Sequence, residues 1–336
     1  MSDKQQYKNN SSNNKNSSGR YNNNSTLDRS TGITGSNPRT MRASIAQQTL
    51  AILDEGQYVN GYDCKVEIGI DVQQAIRNSV LYRPSELSTL RGKFRTEAHA
   101  ETHSVASSTE AEAASVSVRI EVTGETTLGA ASRLTVAEGR EDVVCLNFAS
   151  AKNPGGGFLG GSQAQEESLA RATGLYPCIA QMDEMYEYNR KQRSGLYSNY
   201  MIYSPDVPVI RDDEDRLLDQ YYVSSFITAP AVNAGVVKER GEADDLQIES
   251  VMKERIRYIL DVAATNGHRT IVLGAYGCGV FRNEPAVVAK YFHDVLVGEG
   301  FKDSFERIVF AVYDRSSGQR TLKVFQRFFG RGLIKK

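Results

Sequence analysis

NFASAKNPGGGFLGGSQAQEESLARATGLY, residues 147–176, is the stretch from which the fold is read. Val143, Val144, Cys145, Leu146, Asn147 and Phe148 form a short apolar run rich in β-branched residues. Pro154 and glycines bound it downstream, so it predicts a buried strand. Gly155, Gly156 and Gly157 follow. Lacking Cβ atoms, they admit left-handed backbone and close approach to a ligand, and they can present bare N–H groups to an anion. After Gly160 and Gly161, Ser162 is the expected N-cap of a helix through Gln165, Glu166, Glu167, Leu169, Ala170 and Arg171, with Gly174 and Pro177 interrupting its far end. Acidic first-turn residues also merely complement a helix dipole, and glycine turns also build scaffolds. What points to a site is their combination at the end of a buried strand, where α/β folds place ligands.

Gly274, Ala275, Tyr276, Gly277, Cys278, Gly279, Val280 and Phe281 repeat this logic: an apolar strand, a glycine-rich turn, then a helix with Asn283 as expected cap and Pro285 in its first turn. No Gly-Lys-Ser/Thr follows, so this is not a P-loop, and GxGxxG is not matched. Backbone N–H groups here suit a diphosphate; a purely structural tight turn would use the same glycines. Cys278 has no histidine in a local activating motif and is read as a loop residue whose backbone matters.

Outward from these loops, strands are expected at 116–122, 200–203, 222–228, 270–273 and 307–313. Helices are expected at 43–55, 72–81, 126–137, 244–266, 285–296 and 321–329, and Asn60-Gly61 marks a hairpin. Tyr176, Tyr186 and Tyr188 read as amphipathic packing rather than a base-stacking surface. The alternation indicates an α/β sandwich with a mixed sheet. Three regions are expected: a disordered Asn/Ser-rich tail at 1–39, an N-terminal helical extension at 40–115 ending in a surface loop near 97–115, and a catalytic domain at 116–336. Length 336 and net charge -1 give no global field for nucleic acid or anionic membrane, so an anionic ligand must be met by local donors. Four cysteines and four histidines lack metal-ligand spacing, and neither metal nor cofactor is expected. With no membrane-spanning run and no signal-peptide pattern, the expectation is an intracellular protein, cytoplasmic or nuclear, that binds neither DNA nor membrane.

NPGGG followed by QEE resembles the signature of bacterial-type poly(ADP-ribose) glycohydrolases. YSPDVPVIRDD (203–213), FITAPAVN (226–233) and LGAYGCGVFRNEP (273–285) are similar to that family in the same order, over roughly Arg42 to Phe329. The resemblance implies a macrodomain-like three-layer α/β/α sandwich that hydrolyses ribose–ribose bonds of poly(ADP-ribose), with that polymer, ADP-ribose and ADP-ribosylated proteins as partners. It implies a substrate-binding set of Asn153, Gly155, Gly156, Gly157, Phe158 and Gln165 in the first loop. In the second loop the set is Tyr276, Gly277, Cys278, Gly279, Val280 and Phe281, wrapping the diphosphate with Phe281 beside the distal ribose.

Glycoside hydrolysis needs a carboxyl that protonates the leaving oxygen and later deprotonates water. Successive helical residues point about 100° apart, so Glu166 and Glu167 are poorly placed to flank one bond as an acid/nucleophile pair. One catalytic and one substrate-holding carboxyl fits better. The resemblance assigns acid/base work to Glu167, ribose hydroxyls to Glu166 and loop support to Gln165. A helix N-terminus favours an ionised carboxylate, whereas a general acid must keep its proton; a neighbouring carboxylate and a diphosphate act against that ionisation. Ser150 stands where animal-type members carry Asn, and the subfamily resemblance implies trimming from chain ends. Two other readings use the same pocket: a non-catalytic ADP-ribose reader, which would not need the glutamate pair, and a hydrolase of O-acyl-ADP-ribose or mono-ADP-ribosylated protein.

Overall fold

The computed structural model describes residues 37–90 and 118–330. The loop expected at 97–115 and most of the expected tail lie outside the described residues. Helix α1 (Pro38–Glu55) starts at Asn37, whose side chain accepts from the Arg39 N–H, and stops at Gly56, φ +70. It begins ahead of the expected Ala43 because the Asn37-Pro38 pair is itself a cap and first-turn signal at the edge of a polar stretch. Next comes a hairpin of β1 (Gln57–Val59) and β2 (Lys65–Glu67), with Asn60 Oδ1 accepting from the N–H groups of Tyr62 and Cys64, 3.0 Å each. Helix α2 (Gly69–Asn78) ends before β3 (Val80–Tyr82), which pairs antiparallel with residues 201–203. The helix expected to reach Leu81 therefore stops short, since sheet pairing claims the last apolar residues. Residues 84–90 are helical as well.

The remaining elements are β4 (Arg119–Thr123), α3 (Thr127–Ser132, continued by a π-turn to Ala137), β5 (Val143–Phe148), α4 (Gln165–Ala172), α5 (Leu175–Ala180) and α6 (Asp183–Gln192). Then follow β6 (Met201–Arg211), β7 (Leu217–Ala229), α7 (Ala234–Arg240), α8 (Asp245–Thr265), β8 (Thr270–Leu273), α9 (Pro285–His293), β9 (Arg307–Ala311) and α10 (Arg320–Phe329). Strands β6 and β7 run well beyond the stretches expected for them. Pro205 and Asp206, just past the strand expected at 200–203, occupy a bulge between Ser204 and Val207, the position at which a sheet tolerates proline.

The seven-stranded sheet has the order β3-β6-β7-β5-β8-β9-β4, antiparallel across β3, β6 and β7 and parallel from β7 to β4. Strand β5 is interior, with both faces covered, which is why its first four residues are all apolar instead of alternating. On one face Val144, Leu146, Ile271, Leu273, Ile308 and Phe310 pack with side chains of α8, α9 and α10. On the other, Val143, Cys145, Phe226, Val272 and Val309 pack with α3, α4, α5 and α6. This is an α/β/α three-layer sandwich with a mixed sheet, consistent with a macrodomain-like fold. Helices α1 and α2 and the hairpin add an apolar cluster of Ile52, Leu53, Tyr58, Ile68, Val72 and Ile210. No helix among the described residues is long and apolar enough to cross a membrane.

One buried polar group gives a pH signature. His268 is sandwiched between the Asp142 carbonyl oxygen (Nδ1, 3.0 Å) and the Tyr203 hydroxyl (Nε2, 2.8 Å), and burial pushes its pKa below the ordinary 6.5. A base held neutral by the fold contributes fully above the unfolded pKa and loses that contribution as pH falls through 6.5 and the lower folded value. We expect the thermal midpoint to drop between pH 7.5 and 5, with a His268 share of at most about 1.4 kcal/mol per pH unit. His268→Gln should flatten this part of the profile in calorimetry; an unchanged slope would rule His268 out as its source.

Candidate active site

Strands β7, β5 and β8 run parallel as neighbours, so the loops after them leave from one edge of the sheet. Contacts at that edge are direct. The Phe148 and Tyr276 ring centroids are 5.8 Å apart, and a Cβ on Gly274 would stand 2.8 Å from the Phe148 ring. The Asn283 carboxamide donates to Val232 O (2.7 Å) and Gly277 O (3.0 Å), tying the second loop to the one after β7. That is also why Asn283 does not cap α9; Glu284 occupies the cap position.

The first loop is shaped around the two glutamates. Gly155 and Gly156 both have positive φ, +69 and +59. A Cβ on Gly156 would lie 2.5 Å from Glu167 Oε1 and 3.2 Å from Glu166 Oε2, so only glycine fits between the loop and this pair. The Gly157 N–H donates to Glu167 Oε1 at 3.0 Å. The Ser150 N–H donates to Glu166 Oε2 at 2.6 Å, while the Asn147 carboxamide reaches Glu166 Oε1 at 3.5 Å and Thr228 Oγ1 at 3.1 Å. Gln165 is the fastening: its Oε1 accepts from the Phe148 N–H (2.8 Å), and its Nε2 donates to Leu146 O (2.8 Å) and Thr127 Oγ1 (3.0 Å). The first residue of α4 is thereby locked to the end of β5, and the next two residues are the glutamates.

Ser162 is not the cap of α4. The cap position is Ala164, without a side-chain bond, because Ser162 faces back into the loop, where a Cβ on Gly157 would meet its Oγ at 2.6 Å. The break after α4 falls at Thr173–Gly174, and Pro177 sits in the first turn of α5, where a missing N–H costs nothing.

The environments of the two carboxyls differ. Glu166 is buried, and desolvation, helped by the charge of Glu167, raises its pKa to about 8 against the hydrogen bond from Ser150. Near neutral pH its carboxyl carries a proton and can donate as well as accept. Tyr186, also buried, has a hydroxyl with no hydrogen-bond partner among the described residues, and its pKa is raised by burial and by the nearby charge of Glu166. Sequence reading marked Tyr186 only as packing; no local signal placed it beside a carboxyl.

Two side chains in the expected substrate-binding set serve the scaffold instead. Phe158 is 1% exposed and packs against Tyr176, centroids 4.8 Å apart, in a cluster with Ala46, Leu50 and Ala170. Tyr276 is fully buried and its hydroxyl donates to Ala229 O at 3.1 Å. Each is a large apolar body beside a glycine turn and is drawn into the core, leaving only its backbone to face a ligand. Cys278 is held protonated by burial, its pKa pushed up to about 12, so its thiol is no ready nucleophile. Gly277 (φ +73) could carry no side chain, since a Cβ would meet Ala231 Cβ and Asn283 Nδ2 at 2.6 Å each. Around Gly279 there is open space, and Val280 is 78% exposed.

Phe281 does reach across. Its ring lies 5.8 Å from that of Tyr197, which adopts positive φ (+55), and Lys152 Nζ sits 5.9 Å from the Tyr197 ring centre. Lys152, Tyr197 and Phe281 thus line up from the first loop to the second. Asn153 lies beside Lys152, its N–H donating to Ser150 Oγ and its carbonyl accepting from the Gly156 N–H. Tyr197 escaped the sequence reading, because left-handed backbone at a tyrosine has no sequence signal. Among the described residues no group of three or more His, Cys, Asp or Glu is arranged to hold a metal ion.

The profile of the family described as "Microbial-type PARG, catalytic domain", PARG being poly(ADP-ribose) glycohydrolase, matches residues 46–212. The crystal structure of poly(ADP-ribose) glycohydrolase from Thermomonospora curvata is 42% identical, with a TM-score of 0.76 over 86% of this chain and 100% of that one. The same protein bound to the inhibitor ADP-HPD matches at 40% identity and TM-score 0.74, over 86% of this chain and 99% of that one. The Deinococcus radiodurans glycohydrolase in complex with ADP-ribose is 41% identical, TM-score 0.67, over 76% of this chain and 96% of that one. No curated protein matches.

Proposed function

The chain belongs to the microbial-type poly(ADP-ribose) glycohydrolases, a family of glycoside hydrolases, and on that footing we propose how its residues cleave the ribose–ribose O-glycosidic bond of poly(ADP-ribose). The observation that carries the proposal is the paired environment of Glu166 and Glu167 under the first glycine loop. Glu167, steadied by the Gly157 N–H, is the acid that protonates the leaving ribose oxygen and then the base that activates water. Glu166 holds ribose hydroxyls; a protonated carboxyl both donates to and accepts from a diol. Backbone N–H groups of the second loop, Gly277–Val280, take the diphosphate, while those of Gly156 and Gly157 are engaged by Asn153 O and Glu167; Asn153 and Gln165 support the first loop and Phe281 stands against the distal ribose. The cation that develops at the reacting carbon is stabilised by the bound diphosphate.

A reader of ADP-ribose without hydrolysis is the weaker reading, since the relatives are named as glycohydrolases and both glutamates are present and fastened. We further infer cleavage from chain ends, on the strength of subfamily resemblance. The four cysteines are free, which supports residence in a reducing, intracellular compartment. A time course on end-labelled poly(ADP-ribose) tests the mode of attack. We expect free ADP-ribose from the earliest points with gradual shortening of the polymer, whereas early mid-length fragments would establish internal cutting.

A further inference from the structure

The catalytic loop has a second wall, supplied by the N-terminal helix. The Arg39 Nε–H donates to Gly160 O at 2.8 Å and the Arg42 Nε–H to Gly161 O at 2.9 Å, bonds that span 121 and 119 residues of sequence. Gly161 has φ +73, and a Cβ there would run into the Arg39 carbonyl oxygen, so backbone meets backbone at this point. Behind the contact, Ala46 and Leu50 of α1 pack on Phe158, Ala170 and Tyr176. One turn further, Thr49 Oγ1 donates to the carbonyl oxygen of Arg171 in α4 at 2.6 Å. The fully buried Arg171 guanidinium in turn donates to Ser162 O (3.1 Å) and Gln163 Oε1 (2.6 Å), just ahead of the glutamates.

We propose that Arg39 and Arg42 are positioning residues for catalysis: they brace the outer side of the loop 155–161, whose inner side holds Glu167 through the Gly157 N–H. This rests on the assignment of Glu167 as the acid/base. The loop's own internal bonds are short-range turns, such as Gly156 N–H to Asn153 O and Gly161 N–H to Phe158 O. Left-handed glycines make such a segment intrinsically mobile, so an outside fastening is what keeps the 3.0 Å contact to Glu167 in register. Neither arginine forms an ion pair among the described residues, so ordinary surface charge pairing does not account for them. Both also lie upstream of the segment matched by the family profile, which begins at residue 46.

The test uses the full chain with Arg39→Ala/Arg42→Ala and, beside it, Arg39→Lys/Arg42→Lys. Displacing a catalytic group by about an ångström costs up to about a hundredfold. The alanine pair should therefore lose roughly ten- to a hundredfold in kcat with KM changed much less, and the lysine pair, which keeps one donor per site, should recover part of the loss. Hydrogen exchange over residues 155–161 should quicken in the alanine pair, at an unchanged thermal midpoint. That readout is independent of turnover, so failure of the brace is distinguishable from failure of the Glu167 assignment, which would show as retained activity in Glu167→Gln. Two results overturn the proposal: kcat within about twofold of wild type, or a fall in kcat with loop exchange unaltered, which would put the arginines on the substrate instead of the loop.

Discussion

Glu167→Gln should lower the rate of ADP-ribose release by about 10²- to 10⁴-fold while leaving ADP-ribose affinity within a few-fold of wild type. The substitution is nearly isosteric. Its amide oxygen can still accept from the Gly157 N–H, which the wild-type carboxylate does at 3.0 Å, so the loop keeps its anchor. What the amide cannot do is give up and take back a proton, and hydrolysis by an acid that turns base requires both. Chromatography of products from poly(ADP-ribose) measures the first half of the expectation, and calorimetry with ADP-ribose the second. A variant that keeps a tenth or more of the wild-type rate (~10%) would move the acid/base role away from Glu167. The proton that burial holds on Glu166 near neutral pH would make that residue the next one to test.

Gly156→Ala is the second large effect. At φ +59 an alanine is strained by about 1–2 kcal/mol, and its Cβ would stand 2.5 Å from Glu167 Oε1 and 3.0 Å from Glu167 Cδ. A methyl cannot share that space with a carboxylate, so either the loop lifts or Glu167 rotates away. We expect kcat/KM to fall by about a hundredfold or more, as misplacement of a reacting group predicts. Gly139→Ala separates strain from clash. Gly139 has a similar φ, +68, but nothing stands within 4 Å of the position a Cβ would take, so that variant should lose stability and keep its activity. Equal activity losses in the two variants would defeat the clash argument, and full activity in Gly156→Ala would mean that the loop does not hold Glu167 in the working enzyme.

The site was legible in part because its chemistry is local. Gln165, Glu166 and Glu167 are consecutive, the glycines precede them within one turn-and-helix unit, and the apolar run of β5 is short, bounded and buried on both faces. Boundaries failed where a distant partner decided them. Val80–Tyr82 reads as the end of a helix and becomes a strand because Met201–Tyr203 stands opposite. The strand expected at 200–203 runs on to Arg211 through Pro205 and Pro208, with a bulge between Ser204 and Val207. Ser162 and Asn283 have the chemistry of caps, but Ser162 faces back into the glycine loop and the Asn283 carboxamide is taken by Val232 O and Gly277 O.

The sequence by itself determined most of the alternation of strands and helices, the two glycine turns at strand ends, and the carboxyl pair that opens α4, because each depends on residues close together in the chain. Only the tertiary structure decided that Glu166 is buried beside Glu167 with its pKa raised by desolvation, that Phe158 and Tyr276 turn inward, that Tyr197 stands between Lys152 and Phe281, and that Arg39 and Arg42 hold Gly160 and Gly161. Desolvation and contact are properties of the space around a group. In this fold that space is filled by segments far away in sequence, as Arg39 is from Gly160, 121 residues on.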